Sequence, residues 1–290
     1  MQKNTVEEIL VLTDKLSQVV FNPKHSNKKE IHLLECKKPV IATTVKVEAL
    51  KGELNQFDKA VFLAAVSIQT SSNEFTTIRE LFQLLGGGHV LTANMKQAIL
   101  ESIEKLACTR LTITTPVSLL KKFDYSAGKN FNLKRNRVEY EIADYLLPCR
   151  TVAEKINGQV VDGAIKFLAT SPLVSVAKMK NQIQLRDPNL LQPDIRTSTL
   201  TIKLTSYLFE RISLIKGSRK QKNKRVNKLQ KIITFEKIFY HCGLADATKR
   251  QQQQARDNIE KILNFFVEQG FIKQWNFQKK NKAFYSIHFD

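Results

Sequence analysis

The chain has 290 residues, 42% of them hydrophobic and 25% charged, which is enough apolar side chain for more than one core and excludes a disordered polypeptide. Its 46 Lys and Arg against 27 Asp and Glu give a formal net charge of +19, which points to a polyanionic partner. No apolar run approaches the roughly 20 residues needed to span a bilayer, the N-terminus lacks a signal-peptide core, and Cys36, Cys108, Cys149 and Cys242 are too scattered for a disulfide framework. A reduced, cytoplasmic protein without membrane association is expected.

Val6–Val20 spaces Ile9, Leu10, Leu12, Leu16, Val19 and Val20 as one apolar helical stripe. Asn22–Glu30 is a polar linker. Residues 1–30 therefore read as an N-terminal helix and linker, and that helix packs either on its own chain or on a second copy, which makes a homodimer one expectation.

Residues 31–150 read as a first domain. Pro39–Val47 is a β-branched strand, and Phe57–Val66 is a helix. Thr77-Ile78-Arg79-Glu80 is a capping box that opens a short helix to Leu85. After Gly86-Gly87-Gly88, Thr92 begins a third helix with Met95, Ile99, Ile103 and Leu106 on one side and Asn94, Lys96 and Gln97 on the other. Strands follow at Leu111–Thr115, Phe123–Tyr125 and Val138–Leu147, with Lys134, Arg135 and Arg137 in the loop between the last two. That order predicts a winged helix-turn-helix with a long wing. Residues 151–198, interrupted by Pro172, Pro188 and Pro193, read as an irregular connector with a short strand at Val160-Val161.

Residues 199–290 repeat the order. Thr199–Lys216 is a helix with Ile202, Tyr207, Leu208, Ile212 and Ile215 on its apolar face. Arg211 to Lys231 holds nine cations and no acid, and Arg219, Lys220, Lys222, Lys224 and Arg225 fall in a loop suited to lie along a phosphate backbone. The apolar run Ile232–Tyr240 is stopped by Gly243. Thr248 and Gln251 form a second capping box. Ala255, Ile259, Ile262, Leu263 and Phe266 then mark one buried helical face up to Gly270. Phe271–Phe277 and Phe284–Phe289 are strands around a turn with Lys279, Lys280 and Lys282. The fold class is thus α+β, two tandem winged helix-turn-helix domains joined by an irregular connector.

The charge concentrates in this last domain: residues 201–290 hold 19 Lys and Arg against 7 Asp and Glu, a net of +12. The helix after Thr248 begins Lys249-Arg250-Gln251-Gln252-Gln253-Gln254-Ala255-Arg256. Cations at a helix N-terminus oppose the macrodipole, so a partner with negative charge is expected. In a helix-turn-helix those turns meet base edges, where Gln reads adenine and Arg or Lys reads guanine. Lys249, Arg250, Gln251, Gln253, Gln254 and Arg256 are the candidate readers of double-stranded DNA, with a solvated helix face as the plain alternative.

Other chemistries lack their motifs. Gly86-Gly87-Gly88 is not followed by Lys-Ser/Thr, no GxGxxG follows a strand, and there is no His-x-His or CxxC. No cofactor, metal or catalytic residue is expected, and the neighbours His241 and Cys242 read as core. A transcriptional repressor with the same folds, a nuclease or relaxase, and a protein that binds RNA or a membrane surface are the competing readings.

Three stretches resemble the replication initiator proteins of plasmids and other mobile elements. Leu54-Asn55-Gln56-Phe57-Asp58-Lys59-Ala60-Val61 looks like the opening of their first winged domain. Tyr207-Leu208-Phe209-Glu210-Arg211-Ile212 with Ile215-Lys216 looks like the opening helix of the second, and Ile238-Phe239-Tyr240-His241-Cys242-Gly243-Leu244 looks like the helix-to-turn element before its recognition helix. The resemblance implies a protein that binds directly repeated origin sites, helps open the adjacent duplex, recruits host replication proteins, and exchanges between dimer and monomer.

Overall fold

The computed structural model describes residues 6–12, 15–21, 31–33, 43–71, 73–88, 90–116, 139–179, 182–218, 231–280 and 283–290. The chain is α+β, with helices of 6 to 20 residues and several small antiparallel sheets among the described residues. The first elements among the described residues are strand β1 (Ile9–Leu12), helix α1 (Lys15–Val20) and strands β2 (Ile31–Leu33) and β3 (Thr43–Ala49). Helix α2 (Gln56–Thr70) starts at Asn55, whose Oδ1 accepts from the Phe57 amide at 2.8 Å while Asp58 Oδ2 accepts from the Asn55 amide at 2.9 Å. Strand β4 (Phe75–Thr77) leads into α3 (Ile78–Leu84) through the expected Thr77/Glu80 capping box. Helix α4 (Ala93–Cys108) is capped by Thr92 and buries Met95, Ile99, Ile103 and Leu106, the stripe read from the sequence.

Strands β5 (Thr109–Pro116) and β6 (Glu139–Tyr145) follow, then β7 (Cys149–Ile156) and β8 (Gln159–Phe167). Helix α5 (Pro172–Met179), strand β9 (Ile183–Arg186) and a 3-10 turn (Pro188–Leu191) lead to α6 (Thr199–Ser218). The C-terminal part comprises β10 (Ile232–Thr234), α7 (Phe235–Cys242), α8 (Lys249–Glu268), β11 (Trp275–Lys280) and β12 (Ala283–Phe289).

One connectivity occurs twice. In the C-terminal part a long helix (α6), a short strand (β10), two helices (α7, α8) and a hairpin (β11, β12) build a sheet of order β10-β12-β11. In the first part α2, β4, α3 and α4 precede the hairpin β7–β8, and the sheet has order β4-β8-β7. The second hairpin strand is central in both, pairing with the strand that precedes the short helix.

This corrects the sequence reading of residues 109–198. The strands after α4 do not return to β4. They form a separate four-stranded sheet of order β2-β3-β5-β6. The insertion closes on itself, because the Leu146 amide donates to Thr109 O at 2.7 Å and the Leu147 amide to Leu106 O at 3.4 Å. The hairpin that completes the first sheet lies in the stretch read as an irregular connector. Its turn is Asn157-Gly158 with φ of +50° and +79°, the positive pair that a two-residue type I′ turn requires. The expected strand at Phe123–Tyr125 and the loop with Lys134, Arg135 and Arg137 lie outside the described residues.

The N-terminal segment is also not one helix. Ile9–Leu12 is a strand paired antiparallel with β9. Successive side chains of a strand point to opposite faces, so Ile9 and Val11 enter the core of the C-terminal part while Leu10 and Leu12 enter that of the first part. All four are buried, and the Leu10 amide donates to Ser67 Oγ at 2.8 Å. Four consecutive buried residues cannot be told from helix by periodicity alone, because a strand buried on both faces shows no alternation.

The two cores meet along α2 and α6. Lys59 and Glu210 form a buried ion pair there, and Gln56 Nε2 donates to Ser206 Oγ and to Glu210 Oε1, each at 3.1 Å. Beside it, His241 stacks on Tyr207 with ring centroids 5.0 Å apart.

Candidate nucleic-acid interface

Helix α7 ends at Gly243, whose φ of +74° gives the left-handed C-cap. Helix α8 then starts from Thr248, whose Oγ1 accepts from the Gln251 amide at 3.3 Å while Gln251 Oε1 accepts from the Thr248 amide at 2.9 Å. Its inner stripe Ala255, Ile259, Ile262, Leu263 and Phe266 is wholly buried. That leaves the opposite face, with Lys249, Arg250, Gln253, Gln254, Asp257 and Lys261, in solvent.

The six candidate readers on α8 divide by what their side chains already do. Gln251 is occupied by the cap. Arg256 is half-buried, its guanidinium 5.4 Å from the Phe239 ring centroid and 5.8 Å from that of Phe235, and its Nη1 donates to Gln253 Oε1 at 3.3 Å. Gln253 Nε2 donates to Asp257 Oδ1 at 2.8 Å, so both ends of that amide are engaged. Lys249, Arg250 and Gln254 are exposed and have no hydrogen bond or ion pair among the described residues. The unengaged donors thus gather in the first two turns.

The adjacent hairpin shifts register between Gln278 and Lys279 as it nears its turn, and a bulge of this kind re-aims the strand end. Lys279 is exposed and Lys280 closes β11. Lys282, and Arg219, Lys220, Lys222, Lys224 and Arg225 of the loop after α6, lie outside the described residues.

The corresponding helix of the first part, α4, is differently equipped. Asn94 is exposed, but Lys96 Nζ donates to Val161 O of β8 at 2.5 Å and so fastens the helix to the sheet. Gln97 Nε2 donates to Glu101 Oε1 at 2.7 Å, and Glu104 pairs with Lys51 at 2.8 Å. These residues do not form a cationic face. The cations that share the first sheet, Arg150, Lys155 and Lys166, are exposed on the β7–β8 hairpin. They escaped the sequence reading, although Asn157-Gly158 between β-branched runs is a strong hairpin signal.

His241 and Cys242 behave as core. Burial lowers His241 to a pKa of about 4, helped by the charges of Lys59, Arg211 and Lys237, and burial pushes the Cys242 thiol up to about 12. Those directions oppose a thiolate–imidazolium pair. Among the described residues, no three His, Cys, Asp or Glu side chains gather as metal ligands, and no helix is long and apolar enough to cross a membrane.

No family model and no curated protein matches the chain. Two solved structures align over most of its length. A selenomethionine derivative of domains 2 and 3 of RctB is 11% identical, with 96% of this chain and 97% of that one covered and a TM-score of 0.46. A second structure of RctB domains 2–3 is 12% identical, with 95% of each chain covered and a TM-score of 0.43.

Proposed function

We propose that this protein is a sequence-specific, non-enzymatic double-stranded DNA-binding protein that initiates replication of a plasmid or other mobile element. In this reading the two repeated units are winged helix-turn-helix domains, α8 is the main recognition helix and the β11–β12 hairpin is its wing. The observation that carries DNA binding is the open face of α8. A capped helix presents Lys249, Arg250 and Gln254, unengaged, in its first two turns. Its buried stripe fixes which face is outward, and donors at that end of a helix match base edges and phosphates.

The initiator role rests on the resemblance of the three stretches named above. Two of them, around Gln56–Lys59 and around Glu210, meet in the buried pair between α2 and α6. The first unit, with Lys96 and Gln97 engaged internally, then serves phosphate contact or dimerisation more than base reading. Host replication proteins are the further partners.

The test is binding to the DNA flanking the protein's own gene, tiled in short duplexes, at 50 and 200 mM salt. The proposal expects tight, salt-sensitive binding to several directly repeated tiles. A single bound operator tile would favour a repressor. Equal binding to every tile would contradict sequence-specific recognition.

A further inference from the structure

We propose that Asp257 is a specificity-determining residue of the α8 interface, accepting a hydrogen bond in the major groove from the exocyclic amino group of cytosine. The inference rests on the DNA-binding function proposed above and names the base chemistry that this face selects.

Asp257 lies on the same exposed face as Arg250, Gln253 and Gln254, since positions i, i+3, i+4 and i+7 fall in one stripe. From Arg250 to Asp257 the helix rises about 10 Å, which matches about three base-pair steps of ~3.4 Å. Along that rise the hydrogen-bonding character changes in order. Arg250 only donates, Gln254 donates and accepts, and ionised Asp257 only accepts. In the major groove guanine offers only acceptors, adenine offers one of each, and cytosine offers an amino donor. An acceptor-only group at the far end of the stripe therefore fits cytosine N4, about three base pairs from a guanine opposite Arg250.

The carboxylate is held ready for this. Its Oδ1 accepts from Gln253 Nε2 at 2.8 Å, and Gln253 Oε1 accepts from Arg256 Nη1 at 3.3 Å. Arg256 in turn lies over the Phe239 and Phe235 rings of α7. Asp257 is thus tied through two side chains to the preceding helix, and its Oδ2 accepts no bond among the described residues. Its charge also acts against indiscriminate binding. A carboxylate facing a phosphate-lined groove is repelled wherever no amino group meets it, a repulsive element of the kind that creates specificity.

The experiment is selection of binding sites by the full chain from a duplex pool with a randomised central segment. Wild type, Asp257→Asn and Arg250→Ala would be compared, with binding to a scrambled duplex measured alongside. Asn keeps an acceptor for Gln253, so a role confined to orienting that amide would survive the change. Wild type is expected to enrich cytosine at one position by about tenfold or more. Asp257→Asn should lose that preference, or turn it to adenine, with the other positions unchanged, and should bind the scrambled duplex a few times more tightly. Arg250→Ala should lose a different position. Identical preferences in wild type and Asp257→Asn would overturn the inference while leaving the DNA-binding function standing. A wild type that enriches no sequence would overturn that function and this inference with it.

Discussion

Lys59 of α2 and Glu210 of α6 form an ion pair between the two halves of the molecule, with side chains only 8% and 6% exposed. Gln56 shares Glu210 and also reaches Ser206, so the stretches around Gln56–Lys59 and Glu210 meet in one buried polar knot. Taking two charges out of water is costly and is offset only when both partners stay in place. Removing one partner leaves the other buried and uncompensated. Lys59→Met or Glu210→Leu alone should therefore destabilise the fold by about 3–5 kcal/mol, whereas the double variant should be near wild type or more stable. Urea unfolding of the three variants checks this as a double-mutant cycle, and additive losses would contradict it.

Phe266 anchors α8 from below. It is fully buried and meets Phe271 edge-on with centroids 5.2 Å apart. Phe266→Ala should lower stability by about 3–5 kcal/mol, while Lys261→Ala on the exposed face should change it by less than about 0.5 kcal/mol. Thermal unfolding of both separates the helix's packing side from its solvent side.

His241 predicts a pH dependence. Its folded pKa of about 4 lies below the ordinary 6.5. Between these values the unfolded chain takes up a proton that the folded chain refuses, so this residue's contribution is fully present above about pH 6.5 and is lost as pH falls towards 4. His241→Phe keeps a ring against Tyr207 and removes the titration. Unfolding free energies at pH 7 and pH 4.5 should fall further in wild type than in this variant.

Much of the architecture was legible. Capping boxes at Thr77 and Thr248, the left-handed stop at Gly243 and the stripe from Ala255 to Phe266 all depend on local spacing, and all stand where they were expected. What was missed concerns partners and not elements. The strand after Cys108 is real, but periodicity does not say that it pairs with β3 in place of β4. Asn157-Gly158 was overlooked because the prolines that follow it suggest a connector, although the dipeptide specifies the turn it makes. On α8, composition identified the cationic end. It could not show that Gln251, Gln253 and Arg256 bond within the helix or stack on α7, because those interactions depend on rotamers and on a neighbouring element.

The overlooked turn gives its own prediction. Gly158 at φ of +79° has no Cβ to strain, so Gly158→Ala should destabilise the first sheet by about 1–2 kcal/mol. Gly88→Ala has open space around it and no positive φ, and it should cost less. Hydrogen exchange on β7 and β8 would locate the difference.

The open donors of α8 are the proposed readers of base edges. The direct measurement is the affinity ratio between a selected cognate duplex and its scrambled version, for wild type and for Arg250→Ala with Gln254→Ala. The ratio should fall by the equivalent of about 1–3 kcal/mol for each bidentate pair removed, while binding to scrambled DNA changes little. An unchanged ratio would mean that α8 does not read the sequence.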